Sequence, residues 1–114
     1  MNDGGYAMRE KNLVAALRAL GHPARMRIVR LLSDQAECRG AELFADLPLA
    51  QSTISEHLRI LREAGLVTSH AVGSGVVYCL VPEVLEHVGQ SLHDLAGNTA
   101  PCTSGTTDER MTRG

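Results

Sequence analysis

Gln51, Ser52, Thr53, Ser55, Glu56, Arg59 and Arg62 crowd into twelve consecutive positions. These are side chains that read or grip a polar, anionic surface. The Gln amide can pair bidentately with adenine. Ser and Thr hydroxyls donate or accept, and the Thr methyl can touch the thymine methyl. Arg59 and Arg62, one turn or more further along, suit phosphate oxygens. The apolar residues between them are Ile54, Leu58 and Leu61, spaced i, i+4, i+7. That spacing makes one stripe on a helix, so docking the stripe turns the polar head outward. A helix held this way fits a DNA major groove with its first residues against base edges. The alternative for the same pattern is an ordinary amphipathic surface helix, and periodicity alone favours it.

The elements around this segment decide between the two. Leu13, Ala16, Leu17 and Leu20 recur at helical spacing from Arg9 to Leu20, and Gly21 stops that helix. Pro23 suits the first turn of a second helix, which runs to about Leu32 and turns Ile28, Leu31 and Leu32 inward. Residues 33–39 read as a polar loop. A short helix is expected over residues 40–46, with Leu43 and Leu47 inward, and Pro48 breaks it. The polar-headed helix spans residues 51–64 and ends on Gly65 at C′. Thr53 and Glu56 also match a capping box, which would start it two residues later, so its first turn has two registers. Residues 66–72 and 76–81 are β-prone strands around a Gly73-Ser74-Gly75 turn. Pro82 opens a last helix over residues 83–96, with Leu85, Val88, Leu92 and Leu95 on one stripe. The fold class is therefore mainly α with a small β-hairpin (α+β). The order α-α-α-α-β-β-α makes a winged helix-turn-helix. Residues 1–8 form a flexible N-terminus, residues 9–96 the domain, and residues 97–114 a disordered tail.

Composition bounds the rest. The chain has 114 residues, 44% of them apolar but only 3% aromatic, so Leu, Val, Ile and Ala must build one small core. The net charge of −2 hides an asymmetry. Arg9 to Arg62 holds nine Lys or Arg against six acids, whereas Glu63 to Asp94 holds four acids and no Lys or Arg. Arg25, Arg27 and Arg30 stand together on one short stretch, either a DNA-contacting group or a solvated basic face; what matters is the local field. No apolar run reaches the ~20 residues of a membrane span, and no signal region is visible, which places the protein in the cytoplasm. No Gly-rich phosphate loop and no nucleophile in register with a base is present, so an enzyme is not expected.

With these elements placed, the sequence resembles a known family. The run Leu20-Gly21-His22-Pro23-Ala24-Arg25-Met26-Arg27-Ile28 is similar to the opening signature of the ArsR–SmtB family of bacterial winged-helix repressors. Residues 51–67, QSTISEHLRILREAGLV, resemble that family's recognition helix, and Val77-Tyr78-Cys79-Leu80 its wing end. The likeness covers residues 12–95. It implies a homodimer formed by the first and last helices, binding double-stranded operator DNA at an inverted repeat. It also implies an inducer, usually a metal ion, that reverses binding. His57 matches a residue regular in the family's helix. Its two readings, a half-buried packing histidine and a phosphate or base contact, stand level. The wing departs from the pattern: relatives usually carry Arg or Lys there, whereas this hairpin offers His70, Ser74 and backbone N–H groups.

The sensor departs further. In place of the family's Cys-x-Cys pair the chain has only Cys38, in Cys38-Arg39-Gly40-Ala41-Glu42-Leu43, and one thiolate does not make a site. The family's other site, carried over by the resemblance, would fall on Pro82, Val84, Leu95 and Asn98, none a usual ligand. Glu83 and His87 at i, i+4 form a weaker group that reads more readily as polar surface. Three cysteines are too few and too odd in number for a disulfide scaffold. Cys79 reads as a small apolar strand residue. Cys102 in the tail could join Cys38 in sensing oxidation or completing a metal site, although thiol-sensing relatives carry a cysteine where this chain has Arg30. No metal ligand is assigned and no cofactor is required; a transition metal ion of open identity is the only candidate. The leading expectation is a repressor whose own metal site is lost or atypical, sensing through a co-regulator protein or another ligand. The alternatives are a metal-responsive repressor with a non-standard site and a protein-interaction winged helix with no DNA role.

Overall fold

In the computed structural model, residues 9–35 and 37–98 are described. The flexible segment expected over residues 1–8 and, of the tail expected over residues 97–114, the part from residue 99 onward, with Cys102, lie outside them, whereas Gly97 is the last residue of the final helix and Asn98 its C-cap. Four α-helices and three strands follow one another as α1 (Glu10–Leu20), α2 (Pro23–Ser33), β1 (Arg39–Gly40), α3 (Gln51–Glu63), β2 (Val67–Val72), β3 (Gly75–Leu80) and α4 (Pro82–Gly97). The helix expected over residues 40–46 is a single 3-10 turn, Ala41–Phe44. Its start is taken by a strand: Arg39 and Gly40 pair with Tyr78 and Val77 of β3. Extended backbone there leaves too few residues before Pro48 for a full α-helix, whose nucleation is costly in so short a piece. The loop read over residues 33–39 thus ends in an edge strand, and the hairpin becomes a three-stranded antiparallel sheet of order β1-β3-β2. A Cβ at Gly40 would stand 2.7 Å from Glu42 Oε1 and 3.3 Å from the Val76 carbonyl oxygen, so a larger residue there would have to displace the Glu42 side chain and press on the paired strand.

Local chemistry explains the helix ends. His22 accepts a hydrogen bond from the Ala24 amide at its Nδ1, 3.0 Å away, and Pro23 opens α2. At the end of α3, Gly65 takes φ 84°. Its N–H donates to the Arg62 carbonyl and that of Leu66 to the Leu61 carbonyl, each at 3.0 Å. These two bonds make a Schellman cap, and Leu61 and Leu66, both fully buried, supply its apolar contact. In the wing, Val72 pairs with Gly75, so only Gly73 and Ser74 form the turn.

The core collects Ala16 and Ala19 of α1; Ile28, Val29 and Leu32 of α2; Phe44 and Leu47; Ile54, Leu58 and Leu61 of α3; Leu66 and Val67; and Val84 and Val88 of α4. The stripe of α3 agrees with its periodicity, whereas α2 buries Val29 beside Ile28 and Leu32 and leaves the expected Leu31 half-buried. The stripe of α1 is rotated toward its alanines, whose small side chains let the helix lie close to its neighbours. Leu13 and Leu20 are half-buried, while Val14 and Leu17 face outward, 43% and 37% exposed. On α4, Val84 and Val88 enter the core, and Leu92 and Leu95 are exposed instead of buried. The turn expected to bury Leu43 and Leu47 buries Phe44, the only phenylalanine, with Leu43 at its margin.

Candidate nucleic-acid interface

Three buried side chains of α3, Ile54, Leu58 and Leu61, fix the rotation of that helix against the core. Gln51, Ser52, Thr53, Ser55, Glu56, Arg59 and Arg62 are all exposed in consequence. The first turn starts at Gln51: Ala50 is the N-cap, and Thr53 and Ile54 donate to its carbonyl at 3.0 Å each. The capping box of Thr53 and Glu56 is not formed, because Thr53 already lies within the first turn and is not the N-cap. No side chain caps this end. Its leading N–H groups and the positive end of the helix dipole therefore face the same way as Gln51 and Ser52, an arrangement that favours an anion.

Further along α3 the charges are paired within the helix. The Arg59 guanidinium binds both carboxylate oxygens of Glu56, through Nε at 3.1 Å and through Nη2, and the Glu63 carboxylate at 2.6 Å. These bonds hold the Glu56 carboxyl below its usual range and push the Arg59 guanidinium further toward the charged form. All three groups are exposed, so the pairs add little stability. Their effect is on the surface: Arg59 enters any phosphate contact with two acids attached, while no ion pair is found for Arg62 among the described residues. The partner Glu63 was missed in the sequence, although its i, i+4 spacing from Arg59 signals it.

His57 is buried, at 8% exposure, on the side of α3 that meets α2. Its Nδ1 lies 3.4 Å from Arg25 Nη1, and its ring centroid is 4.6 Å from that of His22. This position fits the packing histidine and not a base contact. Arg25, expected as a DNA contact, is half-buried: its Nε donates to the Ala19 carbonyl at 2.8 Å, tying the end of α1 to α2. Arg27 and Arg30 stay exposed on α2, and Ser74 is exposed at the wing tip beside Val72 and Val76. Burial pushes the His57 imidazole below its ordinary value of 6.5, and the neighbouring His22 and Arg25 push it the same way. The unfolded chain therefore binds a proton on this residue before the folded one does. Stability should rise with pH across the window just below 6.5 and fall as the pH drops through it. Urea midpoints at about pH 7.5 and about pH 5.5 should show this loss, and His57→Gln should flatten it. An unchanged slope in that variant would assign the loss to other groups.

The thiols meet where the sequence did not place them. Cys38, just before β1, is disulfide-bonded to Cys79 of β3, with the two Cα atoms 4.6 Å apart. Cys79 is thus a bridge residue and not simply a small apolar one, and Cys38 is not open to a metal in this form. Cysteine counting missed the pair because β1 was missed: Arg39 opposite Tyr78 makes Cys38 and Cys79 the next cross-strand neighbours. Among the described residues no three His, Cys, Asp or Glu side chains converge.

Residues 22–69 match the profile of the family described as bacterial regulatory protein, arsR family. The chain is 39% identical over 88 residues to the HTH-type transcriptional regulator CmtR of Mycobacterium bovis, 77% of this chain and 71% of that protein. It is 36% identical over 70 residues to the uncharacterized HTH-type transcriptional regulator Rv0081 of Mycobacterium tuberculosis. That match takes in 60% of this chain and spans only 61% of the relative's length. The fold is similar to that of an ArsR-like transcriptional regulator from Rhodococcus sp. RHA1, with a TM-score of 0.66 at 26% identity, covering 76% of this chain and 81% of that one.

Proposed function

The chain belongs to the ArsR family of bacterial transcriptional regulators, and from that premise we propose that it is a homodimeric repressor that reads an inverted-repeat operator in the cytoplasm. The relatives are DNA-binding regulators and not enzymes. One observation carries the reading for this chain: the polar head of α3 is uncapped and exposed on a helix whose opposite face is locked into the core. Gln51, Ser52, Thr53 and Ser55 read bases, and Arg62 with the exposed arginines of α2 holds phosphates. Arg25 and His57 hold the helices in place. The wing has no Lys or Arg and adds backbone contacts around Ser74.

The dimer rests on apolar residues that stand exposed among the described residues. Val14 and Leu17 lie i, i+3 on α1, Leu92 and Leu95 lie i, i+3 on α4, and the two helices pack against each other. A second copy burying this face would set two recognition helices on one side of the molecule, as an inverted repeat requires. Occupying an operator beside a promoter then excludes the polymerase.

Footprinting on the promoter of the chain's own gene should reveal one short inverted repeat. Affinity for it should fall steeply with salt, by about 10³–10⁵ between 50 and 200 mM if six to ten phosphates are neutralised. Weak binding blind to sequence would instead support the second reading, a protein-interaction winged helix, which the bare wing and negative net charge favour.

A further inference from the structure

We propose that Cys38 and Cys79 form a reversible thiol–disulfide site that sets the affinity of the recognition helix for DNA, with a small dithiol or disulfide as its co-reactant. The proposal rests on the DNA-binding reading above. The bridge joins two segments that are 41 residues apart and flank the whole recognition unit. Cys38 lies at the entrance to the helix-turn-helix and Cys79 in the wing strand. Apart from the bridge, β1 is held to β3 by two residue pairs only. Closing the bridge therefore fixes the wing and the chain entering the 3-10 turn as one piece. Opening it leaves that junction on a two-residue strand. Phe44 of the turn packs edge-on to Tyr78, with ring centroids 6.1 Å apart, so the same junction also seats the turn that leads into α3 against the sheet.

The sulfurs are accessible. Cys38 is exposed and Cys79 half-buried. Both line a cleft of about 410 Å³ between α2, β3 and α4, with Leu32, Glu37, Tyr78 and Leu85 among its walls. In the exchange, one thiolate of a dithiol attacks the exposed Cys38 sulfur and the Cys38–Cys79 bond breaks. Cys79 leaves as a thiolate and takes a proton. The second thiol of the reagent then attacks the mixed disulfide and frees Cys38. Two electrons and two protons pass to the protein, and the dithiol becomes a disulfide; oxidation is the reverse. In a reducing cytoplasm such a bond is transient, which is the setting of a sensor and not of a permanent staple.

A chain preorganised by the bridge binds DNA more tightly than one that must order its junction on the operator. The test uses the full chain with Cys102→Ser, so that only two thiols remain. Dithiothreitol-reduced protein should take two N-ethylmaleimide labels, and protein oxidised with glutathione disulfide none. The oxidised form should bind the operator about 5–150-fold more tightly than the reduced one, the usual span of such couplings. Cys38→Ser changes an exposed residue, so the fold is kept, and this variant should bind like the reduced form under both conditions. Equal affinities in the two forms, tighter binding by the reduced form, or labels persisting after oxidation would overturn the proposal. Specific binding absent in both forms, with labelling as expected, would instead overturn the DNA-binding reading.

Discussion

Phe44→Ala is expected to cost about 3–5 kcal/mol of folding stability, the range for truncating a fully buried aromatic ring. Phe44 is 1% exposed and is the largest side chain sealed in the core. It sits on the 3-10 turn, touches Tyr78 edge-on, and underlies the junction between the sheet and the helix-turn-helix. A domain of this size holds about 5–15 kcal/mol in total, so the variant should lie near or beyond the folding threshold. Its urea midpoint should fall at an unchanged slope, and Phe44→Leu should recover most of the loss. A shift worth less than about 1 kcal/mol would mean that the turn is not packed against the sheet and α2 as described.

The second large effect concerns DNA. Gln51→Ala should cost about 1–3 kcal/mol on the operator and nothing on unrelated DNA, because a bidentate amide contact carries sequence information. Gln51 is the first residue of α3, exposed at its uncapped end. Arg62→Ala should behave differently. It should weaken all sequences alike and reduce the salt slope by about one, the signature of a lost phosphate contact. Arg59→Ala should have less effect than Arg62→Ala, because Arg59 is already neutralised by Glu56 and Glu63. Titrations of operator and scrambled duplexes at several salt concentrations separate these outcomes. If Gln51→Ala weakened both duplexes equally, Gln51 would be a backbone contact and the helix would dock in another register.

Much of the architecture was legible because it rests on local rules. The stripes Ile28–Leu32 and Ile54–Leu58–Leu61 and the stop at Gly65 depend on side-chain spacing along one helix and on backbone freedom at one residue. The hairpin turn at Gly73-Ser74 is equally local. The outward polar head of α3 follows from the same spacing, which is why those residues could be named before any coordinates.

What spacing could not show was decided by which segments meet. Phe44 lay next to the expected Leu43, yet a 3-10 turn rotates its side chains differently from an α-helix, so the aromatic ring took the core position. Arg25 and His57 looked like contacts because both are polar and near the motif. Only the crossing of α2 and α3 turns them toward each other. In α4 the apolar period continues through Leu92 and Leu95, yet they stand 48% and 64% exposed, because burial follows from which elements pack together and not from spacing alone.

The sequence by itself determined that a helix with one apolar and one polar face runs through residues 53–62, with its first turn left in two registers, because that pattern has a single solution at a period of 3.6. The tertiary structure alone decided which of the polar groups around the motif are left to act: it buries His57 and ties Arg25 to the Ala19 carbonyl. It also brought Cys38 against Cys79, since the pairing of a two-residue strand depends on contacts 41 positions apart and leaves no local mark.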